Sequence, residues 1–303
     1  MPLVTIALPV RNAGERIDRV ARSVLGQDHP DLEFLICDNA SDDDTGDRCR
    51  ALAARDPRVR YHRHPENIGI LPNFMSASRL ASGEYFRWVS DDDVLEPTLV
   101  SRSLEVFGED GRLVLVTSQT SYTSDEGVVS TSPFTERGLA SDDPLVRFKA
   151  MLRLLNSSHL LIDPLYGLFR RDVLVALPRR NMLREDEVMA TKLALAGPWG
   201  HVSEVLAHRH WKTEKPGVLA RRLGVPSWQA HCATTLECLE IHRWVDDPGN
   251  TPELTDEQRR RARAAVRATW ARRERRVAGH RARKMARLAT GAIRGDLGFS
   301  TGR

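Results

Sequence analysis

The amino-acid sequence predicts an α/β protein, a mainly parallel sheet covered by helices on both faces. Through the first 117 residues, runs of strand length alternate with stretches of helical period, the order that βαβ units require. Two of the strand-like runs end in aspartate-rich segments, DNASDDDT (38–45) and SDDD (90–93), at the carboxyl ends of strands where such sheets receive ligands. With 41% hydrophobic and 28% charged residues, the 303-residue chain has a globular composition that excludes a disordered or fibrous protein.

The elements follow in order. LVTIAL (3–8) reads as a strand, and Ile17, Val20, Ala21, Val24 and Leu25 recur at the spacing of a helix with one buried face. LEFLIC (32–37) is a second strand. Ser41 to Asp44 offer capping side chains for a helix over Thr45 to Arg55, which Asp56-Pro57 ends. VRYH (59–62), EYFRWV (84–89) and LVLVT (113–117) supply further strands, with helices at Pro72 to Ala81 and Thr98 to Phe107 between them. Residues 118–182 are less regular: SYTSDEGVV predicts a hairpin turning at Asp125 to Gly127, Phe148 to Leu155 a helix, and LYGLFRRDVL carries paired arginines, Arg170 and Arg171. A helix over about 186–196 closes at Gly197-Pro198, a strand-like HVSEVLAHRH follows, and beyond 216 the chain is helical by composition, broken at Pro226 and at 246–254. The expected organisation is a domain over 1–215, with halves 1–117 and 118–215, and a helical extension over 216–303.

The net charge of +4 is unevenly spread. Residues 255–303 hold 15 of the 45 basic and 4 of the 41 acidic side chains, leaving a mildly acidic body of 30 basic and 37 acidic residues. Cys37, Cys49, Cys232 and Cys238 have neither zinc-site spacing nor the density of a disulfide scaffold and read as reduced thiols. No apolar run reaches the roughly 18 residues of a membrane span, and the start MPLVTIALPVRN has no basic leader region. These features predict a cytoplasmic protein. The arginine-rich end could rest on anionic lipid at the inner membrane face, contact an acidic partner, or pack against the acidic body.

Neither GxGxxG nor GxxxxGK[ST] occurs, so a bound nucleotide would be held by other means. Carboxylates at a strand end can grip a divalent cation that in turn grips a diphosphate, and hard oxygen ligands suit Mg2+ or Mn2+. Asp91, Asp92 and Asp93 could serve in that way, or form a solvated cap before Thr98.

PVRN (9–12), DNAS with the aspartates behind it (38–45), ENIG (66–69), GEYFRWVSDDDVLEP (83–97), the arginines of YGLFRR, and RED (184–186) ahead of an amphipathic helix occur in an order and spacing that resembles the family 2 glycosyltransferases of the GT-A fold. The resemblance covers residues 3 to about 212. It implies a nucleotide-diphosphate sugar donor, a divalent cation, a hydroxyl-bearing acceptor such as a glycan, lipid-linked saccharide or small natural product, and inversion at the anomeric carbon. It places Pro9, Arg11, Asn12, Asp38 and Asn39 in the nucleoside pocket, with Asp38 hydrogen-bonding a base or ribose or else capping the next helix. Asn67, Gly69 and Asn73 fall at the donor floor, Asp91 at the ribose, Asp92 and Asp93 at the metal, and His210, preferred over His208, at the metal or diphosphate. Asp186 stands where the family has its catalytic base, although Glu185 and Glu187 leave a one-residue ambiguity. Arg170 and Arg171 would meet donor phosphate or an anionic acceptor, or form a solvated pair. Two positions depart from the pattern: Arg11 stands where many members have an aromatic that stacks on the base, and Phe74 where a common variant has a phosphate-binding arginine.

Two other readings compete. A sugar-phosphate nucleotidyltransferase would also join an aspartate cluster to a nucleotide, but it has no need of Asp186 as a base. A nucleic-acid-binding protein would use the basic tail, yet the acidic rim would repel phosphate; no nucleic-acid partner is expected.

Overall fold

The computed structural model describes residues 1–157, 163–211 and 214–296, with side chains to residue 279. Nine strands form one sheet in the order β3-β2-β1-β4-β8-β6-β9-β5, with β7 beside β6. Its first half is the alternating unit expected from sequence: β1 (Val4–Val10), α1 (Arg16–Leu25), β2 (Leu32–Asp38), α2 (Thr45–Arg55), β3 (Val59–Arg63), α3 (Ile70–Leu80) and β4 (Tyr85–Trp88). β3, β2, β1 and β4 are mutually parallel neighbours.

Beyond β4 the sheet is mixed, not parallel. β5 (Val94–Leu95), α4 (Leu99–Glu109) and β6 (Leu115–Ser124) come next, but β6 does not sit beside β4. Between them lies β8 (Leu168–Arg170), antiparallel to both. β7 (Val129–Ser130) returns from β6 as the expected hairpin, and β9 (Trp199–Trp211) runs parallel to β6 and antiparallel to β5. A three-residue strand that reverses direction has no period to announce it, so the alternation in the sequence reads as parallel beyond the point where parallel pairing stops.

Two apolar layers flank the sheet because successive strand residues face opposite sides. Val4, Ile6 and Leu8 of β1 with Phe34 and Ile36 of β2 pack under α1 and α4 through Ile17, Val20, Leu99 and Phe107. Ala7, Leu35, Phe86 and Trp88 point the other way, against Ala77 of α3, Met151 of α5 (Pro144–Leu154) and Met189 and Leu193 of α7 (Glu185–Ala196). Each large side chain buried in this way contributes roughly 1.5–3 kcal/mol relative to exposure. The short α6 (Arg171–Ala176) follows β8.

The C-terminal helices are α8 (Pro216–Arg222), α9 (Gln229–Asp246) and α10 (Asp256–Asp296). A third apolar cluster ties them to the sheet domain: Leu145 and Phe148 of α5 and Val188 and Leu195 of α7 meet Ile241 and Val245 of α9 and Ala262 and Val266 of α10. Among the described residues no helix is long and apolar enough to cross a membrane.

Candidate active site

A cavity of about 930 Å3 opens at the carboxyl ends of β1, β2 and β4. Pro9, Arg11 and Asn12 line it from the end of β1, Asn39 from the end of β2, Asn67 and Gly69 from the loop before α3, and Ser90 and Asp91 from the segment after β4. Seven of the nine expected nucleoside and donor positions, Asp91 among them, therefore line one cavity.

The wall is held by side-chain amides. Asn39 donates from Nδ2 to Asn67 Oδ1 at 2.8 Å and to the Gly69 carbonyl at 3.1 Å, while its Oδ1 accepts from Ile68 N. Gly69 has φ +91, a conformation that penalises any β-carbon. Asn12 Nδ2 donates to Asp42 Oδ1 at 2.6 Å, and Asp42 N donates back to Asn12 Oδ1 at 3.0 Å. Among the described residues the three non-glycine positions with positive φ are Asn12, Ala40 and Arg184, one in the cavity wall, one beside Asn39 and one ahead of Asp186. Each such conformation is held at a cost, and strain of this kind collects where function demands a particular backbone path.

Two expected donor contacts lie behind the wall. Asp38 is fully buried; its Oδ1 accepts from Ser41 N and Oγ at 2.8 and 2.6 Å, and its Oδ2 from Tyr61 Oη and Arg63 Nη1 at 2.7 and 2.6 Å. Burial opposes ionisation, but these bonds from Ser41, Tyr61 and Arg63 outweigh it and hold the carboxyl below its ordinary range. The capping alternative describes this aspartate as it is placed. Asn73 is buried as well, giving Nδ2 to the Cys37 carbonyl at 3.0 Å. Phe74, at the departure from the family pattern, does line the cavity.

The aspartate triplet divides three ways. Asp91 faces the cavity and pairs with Arg16 at 2.7 Å. Asp92 is half-buried and accepts from Ser90 Oγ at 2.7 Å. Asp93 turns inward: it is fully buried, accepting Arg209 Nε on Oδ1 at 3.0 Å and Ser90 N on Oδ2 at 2.9 Å. As placed it presents no face to a cation, and a guanidinium stands where a metal would.

His210 also falls elsewhere than expected. Its Nε2 lies 3.0 Å from Asp125 Oδ1 in the β6–β7 hairpin, and His208 Nε2 lies 2.8 Å from Glu96 Oε1. Strand alternation puts the two histidines on one side, as the sequence implies, and Arg209 between them on the other, toward Asp93 and Asp163. Arg209 is sequestered beside Tyr166, its guanidinium carbon 3.4 Å from the ring centroid, and also donates to Asp163. Burial alone would favour the neutral form, but Asp93 and Asp163 raise its pKa well above the usual value, so it stays charged. Arg170 and Arg171 are structural clips: the first donates to the Leu113 and Gly111 carbonyls, the second to the Ser78 and Arg79 carbonyls.

Asp186, the second residue of α7, is exposed and is not one of the residues that line the cavity. Desolvation by the surrounding protein, then the charges of Glu187, Glu185 and Asp163, push its carboxyl up to about 6. Asp163 precedes the short turn Pro164–Tyr166, whose Tyr166 lines the cavity, and Arg209 bridges Asp163 to Asp93. Arg209 thus ties the aspartate triplet to the Pro164–Tyr166 turn, while Asp186 meets Asp163 only as a neighbouring like charge. Asn181, five positions before Asp186, also lines the cavity.

Residues that sequence reasoning missed close the far side: Arg221, Arg222, Leu223 and Gly224 at the end of α8. Arg222 pairs with Glu214 at 2.8 Å and Arg11 with Asp42 at 3.4 Å, whereas Arg221 has no ion-pair partner among the described residues. The break expected at Pro226 was the only nearby signal, and nothing in it points to a cavity.

Among the described residues no three His, Cys, Asp or Glu side chains converge as a metal cage. A cation shared with a diphosphate needs only one or two protein carboxylates, the remaining ligands being phosphate oxygens and water. Asp92 and Asp91 fit that form; Asp93 and His210 do not.

An α/β sheet with a polar cavity at its strand ends, aspartates below and a carboxylate at a helix start beside it defines a nucleotide-sugar type of site on a GT-A fold. A family profile, Glycosyl transferase family 2, matches residues 5–177, more than half of the chain, and the chain belongs to that family. It is 39% identical over 116 residues to a chondroitin synthase from Escherichia coli, and 36% identical over 128 residues to a hyaluronan synthase from Pasteurella multocida. Those stretches cover 38% and 42% of this chain but only 17% and 13% of those longer proteins. Among solved structures, TarS 1-349 of S. aureus in complex with UDP-GlcNAc superposes with a TM-score of 0.62 at 15% identity, covering 88% of this chain and 72% of that one. The mannosyltransferase PcManGT from Pyrobaculum calidifontis, in complex with GDP-Man and Mn2+, superposes with a TM-score of 0.52 at 21% identity, covering 96% and 80%. These likenesses establish the fold.

Proposed function

We propose that the chain transfers a glycosyl group from a nucleotide-diphosphate sugar to an acceptor hydroxyl, inverting the anomeric carbon, with Asp186 as the base. The observation that carries this reading is the polar cavity at the strand ends, which Asp91 of the aspartate triplet lines together with Asn39, Asn67 and Asn181, this last one five positions before Asp186. The nucleoside occupies the wall formed by Pro9, Arg11, Asn12 and Asn39, where the Arg11 guanidinium plane can stack on a base. Asn67 and Gly69 set the floor, and Arg221 and Arg222, which line the cavity with Phe74, offer positive charge to phosphate.

In the transfer, the acceptor oxygen forms a bond to the anomeric carbon from the face opposite the nucleotide. The bond from that carbon to the diphosphate oxygen breaks, its electron pair leaves with the nucleoside diphosphate, and the acceptor proton passes to Asp186. A carboxyl held near 6 is ionised at neutral pH yet basic enough to share that proton. A divalent cation held by Asp92 and Asp91, Mn2+ or Mg2+, would offset the charge that gathers on the leaving diphosphate. A polysaccharide-type acceptor is the class that the named synthases suggest.

A nucleotidyl transfer would leave Asp186 without a task. The test is a screen of nucleotide sugars, including UDP-GlcNAc and GDP-Man, for thermal stabilisation with and without Mn2+, since a ligand that binds the native state raises its apparent stability. A Mn2+-dependent shift that Asp92→Asn diminishes is the expected result; stabilisation by no nucleotide sugar contradicts the proposal.

A further inference from the structure

Three adjacent carboxylates open α7: Glu185, Asp186 and Glu187. Side by side in one helical turn they repel one another, and the outer two are each clamped by arginine. Arg179 grips Glu185 with Nε and Nη2 at 2.6 and 2.5 Å, its guanidinium carbon 5.2 Å from the Trp88 ring centroid. Glu187 receives Arg184 Nη1 on Oε1 at 2.6 Å and, on Oε2 at 2.8 Å, Arg273 Nη2 from α10.

Arg273 is buried and spends its donors on three further acceptors. Nη1 reaches Glu237 Oε2 of α9 at 2.5 Å, Nη2 the Leu155 carbonyl just after α5 at 2.5 Å, and Nε the Asn156 Oδ1 at 3.2 Å. One guanidinium from the arginine-rich end thereby ties the first turn of α7 to α9 and to the exit of α5. Most arginines of that helix stay exposed, those at 260, 261, 267, 272, 275 and 276 among them; Arg259 is buried like Arg273 but spends its donors on the Val245, Thr251 and Leu254 carbonyls, so Arg273 is the buried one that reaches the first turn of α7.

We propose that Arg273 is a positioning residue for the base: it fixes the start of α7 and balances the charge of Glu187 next to Asp186, so that of the three carboxylates Asp186 is the one left without an arginine clamp among the described residues and free to accept a proton. The inference rests on Asp186 being the base. The charged groups around Asp186 are Glu185 and Glu187 on its own helix, Asp163 before the Pro164–Tyr166 turn, and, beyond them, Arg179, Arg184, Glu237 of α9 and Arg273 of α10. Burial and the charge of Glu187 push the Glu237 carboxyl upward, against the pull of Arg273 and Arg184. Without Arg273, Glu187 keeps only the partly exposed Arg184, and the added negative field holds the Asp186 proton more tightly.

The test is a titration of the Asp186 carboxyl carbon by NMR in the full chain, its resonance assigned by its loss in Asp186→Asn, and it needs no donor. In Arg273→Gln the midpoint is expected to rise by about 1 pH unit. Arg273→Gln combined with Glu187→Gln is expected to return it to the wild-type value, because the charge needing balance has gone. Should Arg273→Gln not fold, Glu187→Gln alone serves: it is expected to lower the midpoint. UDP affinity, or GDP affinity if UDP does not bind, is expected to stay within about twofold in Arg273→Gln, because the cavity wall is untouched. An unmoved midpoint in Arg273→Gln, or in Glu187→Gln, overturns the inference and leaves Arg273 a structural tie. If instead Asp186→Asn keeps turning over donor, it is the base assignment that fails.

Discussion

Asp93 and Arg209 meet as cross-strand neighbours, carboxylate to guanidinium at 3.0 Å, although 116 residues separate them. Val94 pairs with His208 and Leu95 with Ala207 in the antiparallel β5–β9 ladder, and extending that register by one residue sets 93 against 209. The short β5 is thus the device that brings the aspartate triplet under control: it turns the third carboxylate inward, while Asp91 lines the cavity and Asp92 is half-buried between them. The same arginine reaches Asp163, so the pairing also fixes the turn from which Tyr166 enters the cavity.

Removing the arginine should be costly. Arg209→Gln leaves Asp93 buried beside Arg87 but without its ion-pair partner, and breaking a buried pair from one side costs about 3–5 kcal/mol. Asp93→Asn with Arg209→Gln removes both charges and is expected to recover at least half of that loss. Denaturant unfolding of the two variants and the wild type checks it.

Asp38 gives a pH signature. Its folded pKa lies below the ordinary carboxylate value, so the stability it contributes is full above the unfolded pKa of about 3.9 and is lost as pH falls through the lower folded value. Asp38→Asn is expected to destabilise the protein at pH 7 and to flatten the fall in stability below about pH 4 relative to wild type. Thermal melts at pH 7 and across pH 3–5 provide the measurement; parallel acid profiles for the two proteins contradict it.

Much of the first half of the fold was legible because its signals are local. The α2 helix spans Thr45–Arg55, the range that capping side chains and Asp56-Pro57 mark, and α7 begins within one residue of its expected start. The cavity wall was legible through the family resemblance, and the topology shows why it converges: Pro9 near the end of β1 and Arg11, Asn12, Asn39, Asn67 and Gly69 on the segments that follow β1, β2 and β3 are delivered to one edge by parallel strands. What escaped depends on register and long-range packing. Whether His210 or Arg209 faces the site is a question of phase in β9, which only its pairing with β5 and β6 settles. The inward turn of Asp93 follows from that same pairing. Arg221 and Arg273 lie in helices whose composition says only that they are basic, and their placement depends on the apolar seam that seats α9 and α10 against α5 and α7.

Donor binding and turnover in Asp186→Asn, measured with the nucleotide sugar that stabilises the wild type, test the central claim most directly. The account expects donor affinity within about twofold of wild type and release of nucleoside diphosphate reduced by about 100-fold or more, the scale of a general base. Near-normal release by Asp186→Asn, or release of pyrophosphate by the wild type, would contradict it.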